Sequence, residues 1–117
     1  RLMALQGVQM IFAPAAFNTI TGPVHWELVL RSRAADAQSF LCACSPAFND
    51  DLSYKTWGHS AIVDPRGKVL KMCGLDPATI LHEINLDDVT RARSELPVLT
   101  QARLLHSFAK KCSVSMS

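Results

Sequence analysis

Val8-Gln9-Met10-Ile11-Phe12-Ala13-Pro14-Ala15-Ala16-Phe17-Asn18-Thr19-Ile20-Thr21-Gly22-Pro23-Val24-His25-Trp26-Glu27 decides how the rest of the chain folds. Val8 to Ala13 is an apolar run of strand length, stopped by Pro14, which has no N–H for a sheet ladder. From Pro23, a residue suited to the first turn of a helix, Val24, Leu28, Val29 and Ala35 predict one apolar helical face. That helix closes at Asp36 to Ser39, with Glu27 four residues before Arg31 in the favoured orientation for a helical ion pair. Between strand and helix lies a loop punctuated by proline and glycine, the position at which α/β proteins present ligand-binding residues.

Working outward, Ser39-Phe40-Leu41-Cys42-Ala43-Cys44 is a second near-continuous apolar run, the pattern of a strand buried on both faces. Strand, helix, strand is a βαβ unit with a parallel pair. The loops 14–23 and 45–57 then leave the same sheet edge side by side. His59 to Asp64 and Lys68 to Met72 predict a hairpin about the Asp64-Pro65-Arg66-Gly67 turn. Ala78 to Ile84 predicts a further strand. Leu86 to Leu96 predicts a short helix, with Asn85 as N-cap, Asp87 and Asp88 in the first turn, and Pro97 beyond its end. On the N-terminal side, Arg1 to Gln6 reads as the tail of a helix capped by Gly7.

The chain has 117 residues, a net charge of +2 and 49% hydrophobic residues. That is enough for one domain, and more apolar than a small free-standing one needs. Its basic residues are spread without a dense patch, which argues against a nucleic-acid partner. No apolar run approaches the ~20 residues of a membrane span, and no signal peptide is evident, so a cytoplasmic setting, or a mitochondrial one, is expected. Because Arg1 comes first and Leu2 to Leu5 is already apolar, the chain reads as a fragment beginning inside an element.

Four cysteines, Cys42, Cys44, Cys73 and Cys112, read as reduced thiols. Cys42 and Cys44, two apart on a strand, share a face, but nothing else has the spacing of a metal site, so no metal and no cofactor is expected. Neither sits where a thiol is activated; burial in an apolar strand raises its pKa. His25 and Trp26 at the helix start, and Trp57-Gly58-His59 at the end of the second loop, are read alone as anchors of loop structure. Glycine before a strand there suggests close backbone approach.

Together, Pro14-x-Ala16-Phe17-Asn18-x-x-Thr21-Gly22-Pro23-x-His25-Trp26-Glu27, Arg31-Ser32-Arg33-Ala34, Ser45-Pro46-Ala47, Ser53-Tyr54, Gly58-His59-Ser60 and Asp64-Pro65-x-Gly67 resemble the carbon–nitrogen hydrolase (nitrilase) superfamily. Phe17-Asn18 and Ser45-Pro46-Ala47 resemble its omega-amidase branch. The register runs from about Gly7 to Pro97.

The resemblance implies an α/β fold, here the C-terminal portion of a four-layer αββα sandwich. Residues 1–103 would be a partial carbon–nitrogen hydrolase domain and 104–117 a divergent, irregular tail. It implies a homo-oligomer that pairs through a helical face, and a small-molecule amide substrate of the α-ketoglutaramate type, a dicarboxylate monoamide. In the family a cysteine attacks the amide carbon, a glutamate acts as base and a lysine helps hold the tetrahedral intermediate. By resemblance the glutamate and lysine belong well upstream of the matching region, and the cysteine shortly before Arg1. Lys55, Lys68 and Glu27 are not in those contexts. The chain is therefore expected to be inactive alone, with Phe17, Asn18, Thr21 and Trp26 as substrate-binding candidates. Phe48 stands where the branch usually has arginine. Two alternatives remain at this stage: a non-catalytic protein associating with a full-length subunit, or another branch, such as a deaminated-glutathione amidase or a carbamoylase.

Overall fold

The structure, a computed structural model, describes residues 1–101. A short helix α1 (Leu2–Leu5) leads into strand β1 (Met10–Pro14), helix α2 (Gly22–Ala37) and strand β2 (Phe40–Cys44). The hairpin β3 (Ala61–Val63) and β4 (Val69–Met72) follows, and then helix α3 (Asp87–Glu95). The sheet order is β1-β2-β3-β4. β1 and β2 run parallel from Met10 opposite Phe40 to Pro14 opposite Cys44, with α2 as the crossover. β3 and β4 extend the sheet antiparallel. The βαβ unit and the hairpin are thus as the sequence predicts.

Gly7 takes the left-handed conformation just after α1, at φ +94°. β1 begins two residues later than expected, because the Val8 carbonyl is drawn out of the ladder. It accepts from Ser39 Oγ at 2.8 Å and from Arg93 Nη2 at 2.6 Å. Asn85 caps α3 from one step further out than predicted, its side-chain oxygen accepting from the Asp87 N–H at 2.9 Å.

Helix α2 lies on one face of the sheet. Its buried stripe is Trp26, Leu30 and Ala34, packed on Leu41 and Ala43 of β2 and on Ala61 and Val63 of β3. That corrects the apolar face read from the sequence, since Val24 and Leu28 are exposed. Apolar residues occur on several sides of this helix, so periodicity did not single out the stripe four residues apart that the largest ring, Trp26, anchors. Burying a leucine such as Leu30 contributes about 2 kcal/mol. At the other end of α2, Ala37 packs with Ala4 and Leu99.

The opposite face of the sheet is open. Phe12 is 72% exposed, Cys44 is exposed and Cys42 is half-buried. The expectation that β2 is buried on both faces is therefore met on the α2 side and at Phe40, but not at Cys42 and Cys44. The described residues make two layers, one helical and one sheet, of the four expected. Ala78 to Ile84 is not a strand. It follows Pro77 as irregular chain, and Leu81 offers its carbonyl to Lys71 Nζ at 2.6 Å rather than to a ladder partner. The tail 104–117 lies outside the described residues.

Candidate functional site

Loops 14–23 and 45–59 meet at the sheet edge where β1 and β2 end. Asn18 and Thr56 form an antiparallel bridge. Beside it the Thr19 N–H donates to the Lys55 carbonyl at 3.2 Å and the Trp57 N–H to the Phe17 carbonyl at 2.8 Å. The juxtaposition inferred from parallel pairing is therefore a direct backbone contact.

Each loop also carries its own fastening. Asn18 Oδ1 accepts from the N–H groups of Ile20 at 3.0 Å and Thr21 at 2.8 Å, and from Thr21 Oγ1 at 2.9 Å. This is an asparagine turn that sets the start of α2. In the second loop, Thr56 Oγ1 lies 3.1 Å from the Pro46 carbonyl and 2.9 Å from that of Ala47, closing the loop's neck. Ser60 ties that neck to the sheet: the Ser45 N–H donates to its Oγ at 3.0 Å, and the Oγ lies 3.2 Å from the Ser45 carbonyl.

The four sequence candidates separate on burial. Phe17 is half-buried and Thr21 exposed at the loop surface. Asn18 uses its side-chain oxygen within the loop. Trp26 is only 2% exposed. Its ring meets Phe17 edge-on at 5.4 Å and its indole N–H donates to the His59 carbonyl at 2.7 Å. Trp26 therefore supports the loop from beneath.

Sequence reasoning gave Trp57-Gly58-His59 the right signal and too small a part. Gly58, at φ +67°, approaches the neighbouring chain so closely that an added Cβ would lie 3.0 Å from the Gly74 carbonyl oxygen. His59 is not in a strand but left-handed, at φ 60°. Its ring stacks on Trp57 with centroids 4.2 Å apart and planes 9° from parallel. A pocket of about 230 Å³ opens beside this stretch, lined by Ser45, His59, Ser60, Cys73 and Asp76 among others. A larger one, about 570 Å³, lies on the open sheet face between Phe12, Cys42, Cys44, Ile62, Cys73 and Ile80.

None of these groups makes a hydrolytic centre. Burial pushes the Cys42 thiol up, away from the thiolate a nucleophile needs. Lys55 is paired with Asp50 and Glu27 with Arg31. Among the described residues no group of three or more His, Cys, Asp or Glu is placed to hold a metal ion, and no helix is long and apolar enough to cross a membrane.

The pattern that defines carbon-nitrogen hydrolases matches residues 1–94. The chain belongs to the carbon-nitrogen hydrolase family. It is 42% identical over 103 residues to the omega-amidase NIT2 of Mus musculus and 43% identical to that of Homo sapiens, covering 88% of this chain and 37% of each relative. Among solved structures it resembles Saccharomyces cerevisiae Nit3, a member of branch 10 of the nitrilase superfamily. There the TM-score is 0.80 at 42% identity, over 83% of this chain and 36% of that one. The C. elegans NitFhit protein gives a TM-score of 0.77 at 32% identity, over 84% of this chain and 25% of that one. The α/β nitrilase-like fold is thereby established. The chain spans a little over a third of the length of these curated relatives.

Proposed function

We propose that residues 1–117 contribute one wall of the amide pocket of an omega-amidase-like hydrolase. The substrates are small dicarboxylate monoamides of the α-ketoglutaramate type, and the nucleophile is supplied from outside these residues. The observation that carries this reading is the bridge between Asn18 and Thr56. It puts the two family-matching loops in contact at the end of the parallel strands, where α/β folds bind ligands. The identity to NIT2 supports the branch.

In this mechanism a cysteine thiolate attacks the amide carbon, ammonia leaves with a proton from the general acid, and water then cleaves the thioester. Fixed donors hold the oxyanion in both steps. We assign Phe17 and Thr21 to the substrate side of this wall, with Asn18 and Trp26 setting their position; neither lines the two cavities described above. Phe48, where the branch usually has arginine, offers no charge to a substrate carboxylate. A reducing, cytoplasmic compartment suits the free thiols, and the exposed Ile20, Val24 and Leu28 favour association with a second subunit.

The purified chain is expected to release no ammonia from α-ketoglutaramate. Ammonia release accompanied by covalent labelling of Cys42 or Cys44 would overturn the reading. The open sheet face favours a second reading, that the chain acts by association with a longer subunit. A cooperatively melting monomer on size exclusion would count against it.

A further inference from the structure

Phe17, Trp26, His59 and Trp57 form a closed circuit. The Phe17 ring meets Trp26 at 5.4 Å, the Trp26 indole N–H donates to the His59 carbonyl at 2.7 Å, and His59 stacks on Trp57 at 4.2 Å. The Trp57 N–H then returns to the Phe17 carbonyl at 2.8 Å. Three of these residues sit in ordinary backbone conformations. His59 does not: it and Gln38 are the non-glycine residues with positive φ among those described. A left-handed conformation costs an L-residue free energy, though histidine tolerates it better than most.

The stretch that contains it is held from two sides. The His59 N–H donates to the Gly74 carbonyl at 3.0 Å while its own carbonyl faces Trp26. Gly58 is also left-handed, so two successive residues have positive φ. This backbone does two things at once: it aims the carbonyl at the indole and lays the imidazole flat on Trp57. An extended residue at this position would turn its carbonyl away from Trp26 and open the circuit.

We propose that His59 is a positioning residue. Its left-handed backbone locks loop 45–59 under loop 14–23 and so fixes where Phe17 stands on the pocket wall. The inference rests on the amide-pocket reading for its catalytic consequence, and on the circuit alone for its mechanical one. His59 touches no reacting group; it acts through Trp26 and Trp57.

The test is residue-resolved hydrogen exchange on the purified chain and its variants. The sheet amides of β1 and β2 serve as the internal reference. His59→Ala, which disfavours positive φ, is expected to speed exchange of the Thr19 and Trp57 amides by about tenfold or more, with the sheet amides unchanged. His59→Asn accepts the left-handed backbone without the stacked ring, and should return those two amides most of the way to the parent rates. Unchanged loop exchange in His59→Ala overturns the proposal, as does an Asn variant no better than Ala. Should His59→Ala fail to fold, Trp26→Phe decides, since it removes the indole donor and keeps an aromatic ring. The same loop-selective rise is expected, and its absence refutes the lock. None of these readings needs a ligand. Protection of the same loop on adding α-ketoglutaramate tests the pocket reading separately, so the two failures are distinguishable.

Discussion

Replacing Gly22 by alanine probes the contact on which the loops depend. An ideal Cβ at this position would lie 2.2 Å from Trp57 Cγ, 2.3 Å from its Cβ and 2.6 Å from its Cδ1. Carbon atoms rest about 3.5–4.0 Å apart, so Trp57 would have to withdraw by more than about 1 Å. Rotating the indole does not suffice, because Trp57 Cβ is itself in the way and moves only with the backbone. Moving that backbone strains the Trp57 N–H bond to Phe17 and the stack on His59. Overpacking of this kind costs about 1–3 kcal/mol, and the loss of one hydrogen bond about 1 kcal/mol more. The helical preference of alanine over glycine returns at most about 1 kcal/mol.

A net loss of roughly 1–3 kcal/mol follows, which is a large share of the stability of a small domain. With a urea dependence of about 2 kcal/mol per molar, the midpoint should fall by about 0.5–1.5 M. Equilibrium unfolding followed by near-ultraviolet circular dichroism reads both the midpoint and the aromatic stack. The decisive comparison is a double-mutant cycle with Trp57→Gly, which removes the Trp57 Cβ as well as the ring. In that background the clash is gone, and Gly22→Ala should cost less than about 0.5 kcal/mol or stabilise slightly. Equal costs in the two backgrounds would refute the close-approach account.

Two further outcomes follow from the same geometry. Asn18→Ala removes one oxygen that accepts from three donors, and should lower stability by about 1 kcal/mol, as loss of a helix cap does. Asn18→Asp keeps that oxygen and should stay near the parent in thermal melts; an Asp variant as unstable as the Ala one would sink the turn argument. Cys44, exposed, should be alkylated faster than Cys42, whose thiol burial pushes up. A raised pKa keeps Cys42 protonated to higher pH than an ordinary thiol, so its own rate should stay low at neutral pH and climb only in the alkaline range. Equal rates near pH 7 by mass spectrometry would contradict that assignment.

The order of elements was legible because each rests on a local signal. Pro14 ends a strand, Pro23 opens a helix, Asp64 to Gly67 makes a turn, and each acts within a few residues of itself. The meeting of the two loops was legible too, since parallel pairing forces it. The buried side of α2 was not, because Val24 and Leu28 are as apolar as Leu30 and only the position of Trp26 over the sheet separates them. Nor was the conformation of His59. A histidine between glycine and serine carries no mark of left-handed backbone; that follows from the Gly74 and Trp26 partners, each distant in sequence. Ala78 to Ile84 has strand-like residues but lacks a ladder to join, which is a property of its surroundings.

The closed neck of the second loop has a practical side. Thr56 Oγ1 spans the carbonyls of Pro46 and Ala47, so the chain from Asn49 to Ser53 leaves and returns through a fixed gate, with every residue of it exposed. Extra length added there would be borne by that gate, and doubling a flexible loop costs only about 0.6 kcal/mol. The tip is thus a natural attachment point, where a peptide tag or a fluorophore can be carried without disturbing the aromatic residues below.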